Sequence, residues 1–501
     1  MFKKILIANR GEIAVRIIRA CREMGIRSVA VFSEADRVSL PVRLADEAIC
    51  IGPPPPDQSY LSVDAIVEAA RRTNSEAIHP GYGFLSENAA FARRLEQEKI
   101  TFIGPSSRAL RVTGDKLRAR KLMRKAGIAV IPGTDEPIRD EKKLLAEARK
   151  IGFPVILKAT AGGGGKGMRL VRREKDFAGS LRLARSESES AFGDGSIYLE
   201  AFLEPARHIE VQVLVDRTGQ ARHLGERECS IQRRHQKLIE ESPSPVVDSA
   251  KRKELGALAI KACKAAGYLG AGTVEFLRDS KGRFFFMEFN ARLQVEHPVT
   301  EMVMGIDLVK WQFRIAAGEK LSLPAGEIHP RGAAIECRIY AEDPGRDFSP
   351  CPGKIRSLHQ PMGPGLREDS GIYAGYEVPI HYDPLVTKLI AWGEDRLEAI
   401  SRMHRALGEY RILGIETTLP FHREVMEDEL FRQGKFDTGY VADLLGRRSM
   451  RANGARSEEI AIAGAAIRDY ERRLGRPTWR ESGDRKAWKI AYRRRQHQSR
   501  H

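Results

Sequence analysis

A glycine-rich loop between two apolar segments is the first feature of the sequence that could do chemistry. Residues 155–159 and 168–171 have the composition of β-strands. The segment between them contains Gly162, Gly163, Gly164, Gly165, Lys166 and Gly167. Glycines let backbone N–H groups approach an anion, so the loop, with Lys158 beside it, predicts a phosphate site. It is not the nucleotide loop G-x-x-x-x-G-K-[ST], because Gly167 stands where Ser or Thr is required. A plain surface hairpin is the alternative.

Two acidic side chains and one amide form a second candidate site. Residues 273–277 and 284–290 predict an antiparallel hairpin, with Glu275 on the first strand and Glu288 and Asn290 on the second. Carboxylates in such apolar strands are costly unless a cation compensates them, and oxygen ligands without His or Cys favour Mg²⁺ or Mn²⁺. A solvated strand face is the alternative. The glycine loop nearby favours an ATP site.

The elements that must position these residues change in character along the chain. The first hundred residues alternate short apolar strands with amphipathic helices, which predicts a parallel α/β sheet, although no G-x-G-x-x-G is present. A region of longer antiparallel strands is predicted to begin at Lys116. In residues 209–215 of this region, apolar side chains recur at every second position. Further strands and helices follow Arg331 and continue to about Gly446. The expected fold class is therefore α/β and α+β.

Composition and charge restrict the class of protein. The chain has 501 residues, of which 42% are hydrophobic, as in a globular protein of about three domains. The net charge is +17, but residues 447–501 hold 16 Lys+Arg and 6 Asp+Glu, so this tail carries +10 and the body only +7. No segment resembles a signal peptide or a membrane span. Six scattered cysteines without a C-x-x-C pair favour reduced thiols and a cytoplasmic location.

Three longer strings narrow the chemistry. They are residues 79–88 (HPGYGFLSEN), 233–237 (RRHQK) and 290–301 (NARLQVEHPVTE). Together with the glycine loop and its flanking lysines and acids, they make the chain resemble ATP-grasp enzymes, which activate a carboxylate as an acyl phosphate. Within that class the strings resemble biotin carboxylase, which carboxylates biotin with ATP and bicarbonate. The resemblance covers about residues 1–446.

The resemblance implies three domains and a tail. The expected parts are an N-terminal parallel α/β domain (1–114), a central ATP-grasp domain with a glycine-loop lid (115–330, lid about 131–203), a C-terminal mixed α/β domain (331–446) and a basic tail with one helix (447–501).

The resemblance also implies which residues bind ATP and the metal ions. The nucleotide phosphates and ribose would be contacted or approached by Lys116, Lys158, Gly164, Gly165, His208 and His235. The adenine would be lined by Glu200, Ala201, Phe202 and Leu203. The family usually has Lys where Ala201 stands, so only a backbone contact would survive there. Two Mg²⁺ or Mn²⁺ ions would be held by Glu275, Glu288 and Asn290.

Bicarbonate and biotin would occupy the neighbouring part of the site. The resemblance implies a bicarbonate cradle of Lys237, Arg292, Gln294 and Val295. Glu296 would be the general base that deprotonates bicarbonate, so that its oxygen can attack the γ-phosphate. Arg338 would stabilise the developing oxyanion of biotin, with Tyr82 and Gly83 in the biotin pocket.

The partners follow from what the sequence lacks. None of the eleven methionines is followed by Lys, so the biotin-bearing Met-Lys of carrier domains is absent. We therefore expect a separate biotin carboxyl carrier protein and separate carboxyltransferase subunits. Acetyl-CoA carboxylase is the favoured assembly; a two-subunit pyruvate carboxylase, another acyl-CoA carboxylase and another ATP-grasp ligase are alternatives. A basic binding module that has lost catalysis is the non-enzymatic alternative. The resemblance implies a homodimer, with Arg19, Glu23 and Arg367 as candidate interface residues.

The tail needs its own interpretation. A helix is expected from Ser457 to Leu474, and after it Trp479, Trp488 and Tyr492 are interleaved with arginines. Docking on a carboxylase partner or on the body is favoured over a solvated tail. Nucleic-acid binding is the least favoured alternative, because no folded nucleic-acid module is recognisable.

Overall fold

The computed structural model describes residues 1–159, 168–323, 329–454 and 468. Gly164 and Gly165 of the expected phosphate loop and the helix expected at residues 457–474, apart from residue 468, lie outside the described residues. The chain divides into one compact unit from Met1 to Val441 and a second from Ala442 to His501.

Strands and short 3₁₀ turns alternate with fifteen described α-helices. The helices are α1 Gly11–Glu23, α2 Leu40–Leu44, α3 Val63–Arg72, α4 Ala89–Gln97, α5 Ser107–Gly114, α6 Lys116–Lys125, α7 Glu141–Ile151, α8 Phe177–Phe192, α9 Ser249–Ala266, α10 His297–Met304, α11 Leu308–Ala316, α12 Arg396–Glu409, α13 Leu419–Glu427, α14 Glu429–Arg432 and α15 Tyr440–Gly454. The strands are β1 Lys4–Ile7, β2 Arg27–Phe32, β3 Glu47–Cys50, β4 Ala77–His79, β5 Thr101–Phe102, β6 Val155–Ala159, β7 Met168–Val171, β8 Ile197–Ala201, β9 Ala206–Val215, β10 Ala221–Arg233, β11 Gln236–Ser242, β12 Gly270–Asp279, β13 Phe284–Asn290, β14 Ala333–Tyr340, β15 Glu342–Asp343, β16 Ser349–Pro350, β17 Gly353–Lys354, β18 Ser357–His359, β19 Leu366–Ser370, β20 Glu377–Val378, β21 Leu385–Gly393 and β22 Arg411–Leu413.

The N-terminal sheet is parallel and has the strand order β3-β2-β1-β4-β5. Ile5 and Ile7 of β1 pack into one apolar cluster and Leu6 packs into another, so both faces of the sheet are covered. The strand order reverses beside β1, which has β2 on one side and β4 on the other. The segments that follow β1 and β4 therefore meet in one crevice, the usual ligand position of such a sheet.

A central sheet of eight antiparallel strands holds most of the candidate site. Its order is β13-β12-β9-β10-β11-β14-β21-β19. The alternation predicted for β9 is present: Ile209, Val211 and Val213 pack into an apolar cluster, while Glu210 and Gln212 between them are also buried. Strands β14, β21 and β19 continue the sheet beyond β11. Side chains from residues 206–290 and 333–393 can therefore share one surface.

A small antiparallel sheet, β7-β6-β8, has a core of its own. Leu144 of α7, Leu157 of β6 and Phe177 and Leu181 of α8 pack together within it. With the parallel and the antiparallel sheet, this arrangement confirms the expected fold class. None of the helices in the described part of the chain combines the length and the hydropathy that crossing a lipid bilayer requires.

Candidate active site

Glu275 and Glu288 face each other across the hairpin of β12 and β13. They are direct cross-strand partners, and Asn290 Nδ2 donates a hydrogen bond to Glu275 Oε1 at 2.8 Å. Burial and the neighbouring Glu275 charge raise the pKa of Glu288. Two carboxylates that repel each other in an enclosed site are what a divalent cation would compensate, so these residues fit the expected metal ions. His208 Nε2 lies 2.9 Å from Glu275 Oε2 and adds a possible ligand that was expected to touch ATP.

The residues expected near the nucleotide phosphates lie on three elements. The positive charges of Lys116 and Lys158 act to lower the pKa of Glu288, against the effects of burial and of Glu275. Both lysines therefore lie within electrostatic reach of the acidic pair. Lys158 also donates to the carboxylate of Glu200. His235 lies at the β10–β11 turn with a left-handed φ of 66°, and burial and the Lys158 charge lower its pKa. The two lysines thus place positive charge beside the acids, and His235 adds a neutral imidazole.

The segment expected to line the adenine is already fixed by backbone hydrogen bonds. The N–H of Ala201 donates to the carbonyl of Pro132 at 2.7 Å, and the N–H of Phe202 donates to the carbonyl of Pro154 at 3.0 Å. The side chains of Ala201, Phe202 and Leu203 are half-buried. The N–H of Ala201, through which the backbone contact with adenine was expected, is therefore already bonded within the chain.

Lys237 holds three buried carboxylates together. Its Nζ lies 2.7 Å from Glu210 Oε2, 3.0 Å from Glu275 Oε1 and 2.6 Å from Glu296 Oε1. Burial by itself would lower the pKa of Lys237, but these carboxylates raise it well above its ordinary value. The ammonium is therefore a fixed positive charge between Glu275, an expected metal ligand, and Glu296.

Glu296 is fully buried and sits between two cations. Besides Lys237, Arg338 Nη2 lies 3.0 Å from Glu296 Oε2. Burial would raise the pKa of Glu296, but the charges of Lys237 and Arg338 hold it well below its usual range. On its other side, Arg338 Nε donates to Glu240 Oε1 at 2.6 Å, and burial raises the pKa of Glu240 to about 7. Arg338 therefore joins the carboxylate of Glu296 to a second buried acid.

Arg292 is held in place by two neighbours in the sequence, Asn290 and Gln294, and by the distant Glu87. Its Nε donates to Glu87 Oε2 at 2.9 Å, Nη1 donates to Gln294 Oε1 at 2.9 Å, and Nη2 donates to Asn290 Oδ1 at 3.1 Å. Gln294 Nε2 in turn donates to Glu275 Oε1 at 2.9 Å. The guanidinium of Arg292, the amide of Gln294 and the carboxylate of Glu275 are thus connected by hydrogen bonds, an arrangement that suits a small planar anion.

The expected biotin pocket is built on the segment after β4. Asn9 Nδ2 donates to the carbonyl of Tyr82 at 2.7 Å, and a Cβ at Gly81 would lie 2.8 Å from that same Nδ2. Gly83 has a φ of +67°, which favours glycine. The hydroxyl of Tyr82 donates to Glu12 Oε1 of α1. Burial raises the pKa of Tyr82, and the positive charge of Arg338 acts against this increase. Tyr82 and Arg338, two of the three expected biotin residues, therefore lie within electrostatic range of each other.

Two of the three residues expected at a dimer interface, Glu23 and Arg367, have partners within the chain. Arg367 Nη1 donates to Glu301 Oε2 at 2.7 Å, and Lys310 Nζ lies 2.6 Å from Glu23 Oε2. Arg19 is exposed.

Sequence reasoning missed several side chains that build this site. They are Glu12, Glu87, Glu210, Glu240 and Lys388. The one available signal was an acid within an apolar strand, as with Glu210 in β9, because such an acid needs a cationic partner.

Comparison with known sequences identifies three matching families. Residues 1–110 match "Biotin carboxylase, N-terminal domain", residues 115–323 match "Carbamoyl-phosphate synthase L chain, ATP binding domain", and residues 336–443 match "Biotin carboxylase C-terminal domain". The chain is 54% identical to a biotin carboxylase of Nostoc sp. over 443 residues, 88% of this chain and 99% of that protein. It is also 54% identical to a pyruvate carboxylase subunit of Methanothermobacter thermautotrophicus over 441 residues, 88% of this chain and 90% of that protein.

Solved structures agree with the sequences. A biotin carboxylase complex with β,γ-ATP from Campylobacter jejuni has a TM-score of 0.86 and 49% identity, and the match covers 88% of this chain and 99% of that one. The biotin carboxylase domain dimer of Hydrogenobacter thermophilus 2-oxoglutarate carboxylase, in complex with MgADP, ADP and bicarbonate, has a TM-score of 0.86 and 48% identity, and the match covers 88% and 98%. The predicted resemblance is confirmed.

Proposed function

Since the chain belongs to the biotin carboxylase family, we propose that it carboxylates biotin on a separate carrier protein, as the first half-reaction of an acetyl-CoA carboxylase. ATP-dependent ligase activity follows from family membership. The residue roles, the carrier and the final acceptor are the proposal.

The observation that supports the residue roles is the position of Glu296. A fully buried carboxylate lies between Lys237 and Arg338, beside the guanidinium and amide of the expected bicarbonate cradle. The two cations can hold an anionic substrate next to the carboxylate. An anion that takes up their charge also raises the pKa of Glu296, so substrate binding itself makes Glu296 a better base.

In the first step, bicarbonate reacts with ATP. Glu296 takes the proton of bicarbonate, a bicarbonate oxygen forms a bond to the γ-phosphorus, and the bond from that phosphorus to the β-phosphate oxygen breaks to release ADP. The product is carboxyphosphate. Arg292 and Lys237 orient the anion during this transfer.

Metal ions would be held by Glu275, Glu288 and Asn290. When bound, they supply positive charge that offsets the negative charge on the phosphate oxygens of ATP. Lys116 and Lys158 add fixed charge on the same side of the site.

In the second step, carboxyphosphate separates into CO₂ and phosphate. The phosphate takes the N1 proton of biotin, and N1 then bonds to the carbon of CO₂. Negative charge grows on the ureido oxygen of biotin, where Arg338 would stabilise it. Tyr82 and Gly83 would form the wall of the biotin pocket.

A second acceptor is favoured by one specific observation. The relative from Methanothermobacter thermautotrophicus, as similar as the Nostoc protein, belongs to a pyruvate carboxylase. We propose a biotin carboxyl carrier protein and carboxyltransferase subunits as partners in either case, and a homodimer by analogy with the Hydrogenobacter thermophilus domain. Co-purification of the transferase subunits, followed by assays with acetyl-CoA and pyruvate, would distinguish the two acceptors.

The activity itself can be tested with free biotin. We expect bicarbonate-dependent ATP cleavage by the purified chain to be stimulated by biotin, with carboxybiotin as the product. A folded protein without biotin stimulation would contradict the proposal. Arg338→Gln should keep the biotin-independent ATP cleavage within a few-fold and lose biotin carboxylation by about 10²-fold. Equal loss of both activities would contradict the role given to Arg338.

A further inference from the structure

One buried lysine touches both halves of the site and has no role in the chemistry described above. Lys388 lies on β21, where it is the direct cross-strand partner of Arg338 on β14, and it is 0% exposed. A lysine in such a place is costly unless its charge is compensated.

The ammonium of Lys388 has its two shortest contacts on two separate segments of the chain, and Asp369 Oδ2 on β19 lies farther away, at 3.7 Å. Its Nζ donates to the carbonyl of Val295 at 2.8 Å and lies 3.2 Å from Glu12 Oε1. Burial would lower the pKa of Lys388, but the nearby carboxylates of Glu12, Glu336 and Asp369 raise it. The side chain therefore stays charged across the neutral range.

Each of the two shortest contacts leads to a different substrate. Val295 belongs to the expected bicarbonate cradle and directly precedes Glu296. Glu12 Oε1 accepts the hydrogen bond from the hydroxyl of Tyr82, in the expected biotin pocket. One ammonium thus fixes the backbone on the bicarbonate side and the aromatic side chain on the biotin side.

We propose that Lys388 is a positioning residue that holds the bicarbonate cradle and the biotin pocket at a fixed separation, through Val295 on one side and the Glu12–Tyr82 pair on the other. The inference rests on the proposed function, because it assigns the two contacts to the two substrates. Lys388 itself takes no proton and touches no reacting atom.

The test compares KM values for three substrates. Lys388→Met keeps the length of the side chain and removes its charge. Loss of a charge-assisted hydrogen bond on each side should raise KM for bicarbonate and KM for biotin about tenfold each, and leave KM for ATP within about twofold. Glu12→Leu should raise KM for biotin alone, because it releases Tyr82 and leaves the Lys388–Val295 bond.

Two further variants keep the test decisive. Lys4→Met is a matched control: Lys4 Nζ donates to the carbonyl of Thr73 at 2.7 Å and lies 2.8 Å from Glu47 Oε1, so it makes the same types of contact far from the site. It should leave all three KM values unchanged. If Lys388→Met alone does not fold, the double variant Lys388→Met/Glu12→Leu removes both charges of the pair and should show both KM increases.

The outcomes separate this inference from the proposed function. If the wild-type chain lacks biotin-stimulated activity, the proposed function is wrong. The positioning role is overturned if the wild type is active and the folded Lys388 variant keeps both KM values, changes only one of them, or raises KM for ATP by the same factor. An unchanged KM for biotin in Glu12→Leu would also overturn it, since Tyr82 would then be held without the Lys388 contact.

Discussion

Glu296 is ionised because cationic neighbours surround it. A substitution can therefore remove its negative charge and keep the size of its side chain. Glu296→Gln keeps the shape and one oxygen for Lys237 and Arg338, but it cannot accept the proton of bicarbonate. We expect bicarbonate-dependent ATP cleavage to fall by about 10²- to 10⁴-fold. KM for ATP should change little, because other residues are expected to contact ATP. Steady-state assays at varied ATP and bicarbonate measure both quantities.

A second buried glutamate provides the control for this change. Glu241 is buried and pairs with Arg396, whose Nε donates to Glu241 Oε2 at 2.6 Å, outside the candidate site. Glu241→Gln should leave the activity near that of the wild type. An equal loss in both variants would mean that a broken buried ion pair, and not a missing base, explains the result.

At the residue scale, long motifs were informative and single side chains were not. The string of residues 290–301 pointed to Arg292, Gln294 and Glu296; in the structure Arg292 donates to Gln294, and the charge of Glu296 acts on Arg292. Lys388 carried no signal, because a lone lysine in a strand has no spacing that marks it. Only the register of β14 and β21 shows that Lys388 lies beside Arg338.

The segment after β4 depends on a buried, neutral histidine. His79 Nδ1 accepts a hydrogen bond from the N–H of Gly81 at 3.0 Å, and Nε2 lies 3.1 Å from Gln312 Oε1. Burial lowers the pKa of His79 to about 4. In the unfolded chain this imidazole binds a proton near pH 6.5, so its contribution to stability is present at neutral pH and is lost as the pH falls from about 6.5 to about 4.

This histidine should therefore make folding sensitive to acid. Between about pH 7 and pH 5 we expect it to remove roughly 2 kcal/mol from the free energy of unfolding. His79→Asn does not titrate, and its Oδ1 can still accept from Gly81, so the variant should lose less stability over the same interval. Urea unfolding at both pH values measures the difference. An identical decrease in the two proteins would contradict this origin of the acid sensitivity.

At the element scale, local patterns predicted the types of element but not how they join. Continuous apolar segments located β1 and β4, and alternating apolar residues located β9. Burial of both faces of a strand produces the first pattern, and burial of one face produces the second. The pairing of β11 with β14 produces no such pattern in the local sequence. It joins residues far apart in the chain, and its register depends on packing that no local window contains.

At the scale of the whole molecule, the net positive charge is divided between the body, residues 1–446, and the basic tail, residues 447–501. The C-terminal family match ends at residue 443, and 443 aligned residues span 99% of the Nostoc protein, so the basic tail lies beyond what that relative shares. The body alone has a charge suited to anionic substrates. The tail is expected to dock on a carboxylase partner or on the body, and to take no part in the reaction.

Truncation tests this division. A chain that ends at Gly454 keeps the described part of α15 and removes most of the tail's positive charge. We expect kcat/KM for free biotin to remain within about twofold, and salt-sensitive binding to the carrier or transferase subunits to weaken. Sedimentation with these subunits at low and high salt measures the second effect. A large loss of activity with free biotin would instead make the tail part of the catalytic unit.

The continuous central sheet also has a consequence for synthesis on the ribosome. β11 ends at Ser242, whereas its neighbour β14 begins at Ala333 and β21 follows only at Leu385. Until those residues leave the exit tunnel, β11 is an edge with unpaired backbone groups, the kind of edge that recruits strands from other chains. β14, the strand that carries Arg338, therefore also covers the open edge of β11. It prevents this edge from pairing with strands of other nascent chains on the same messenger RNA.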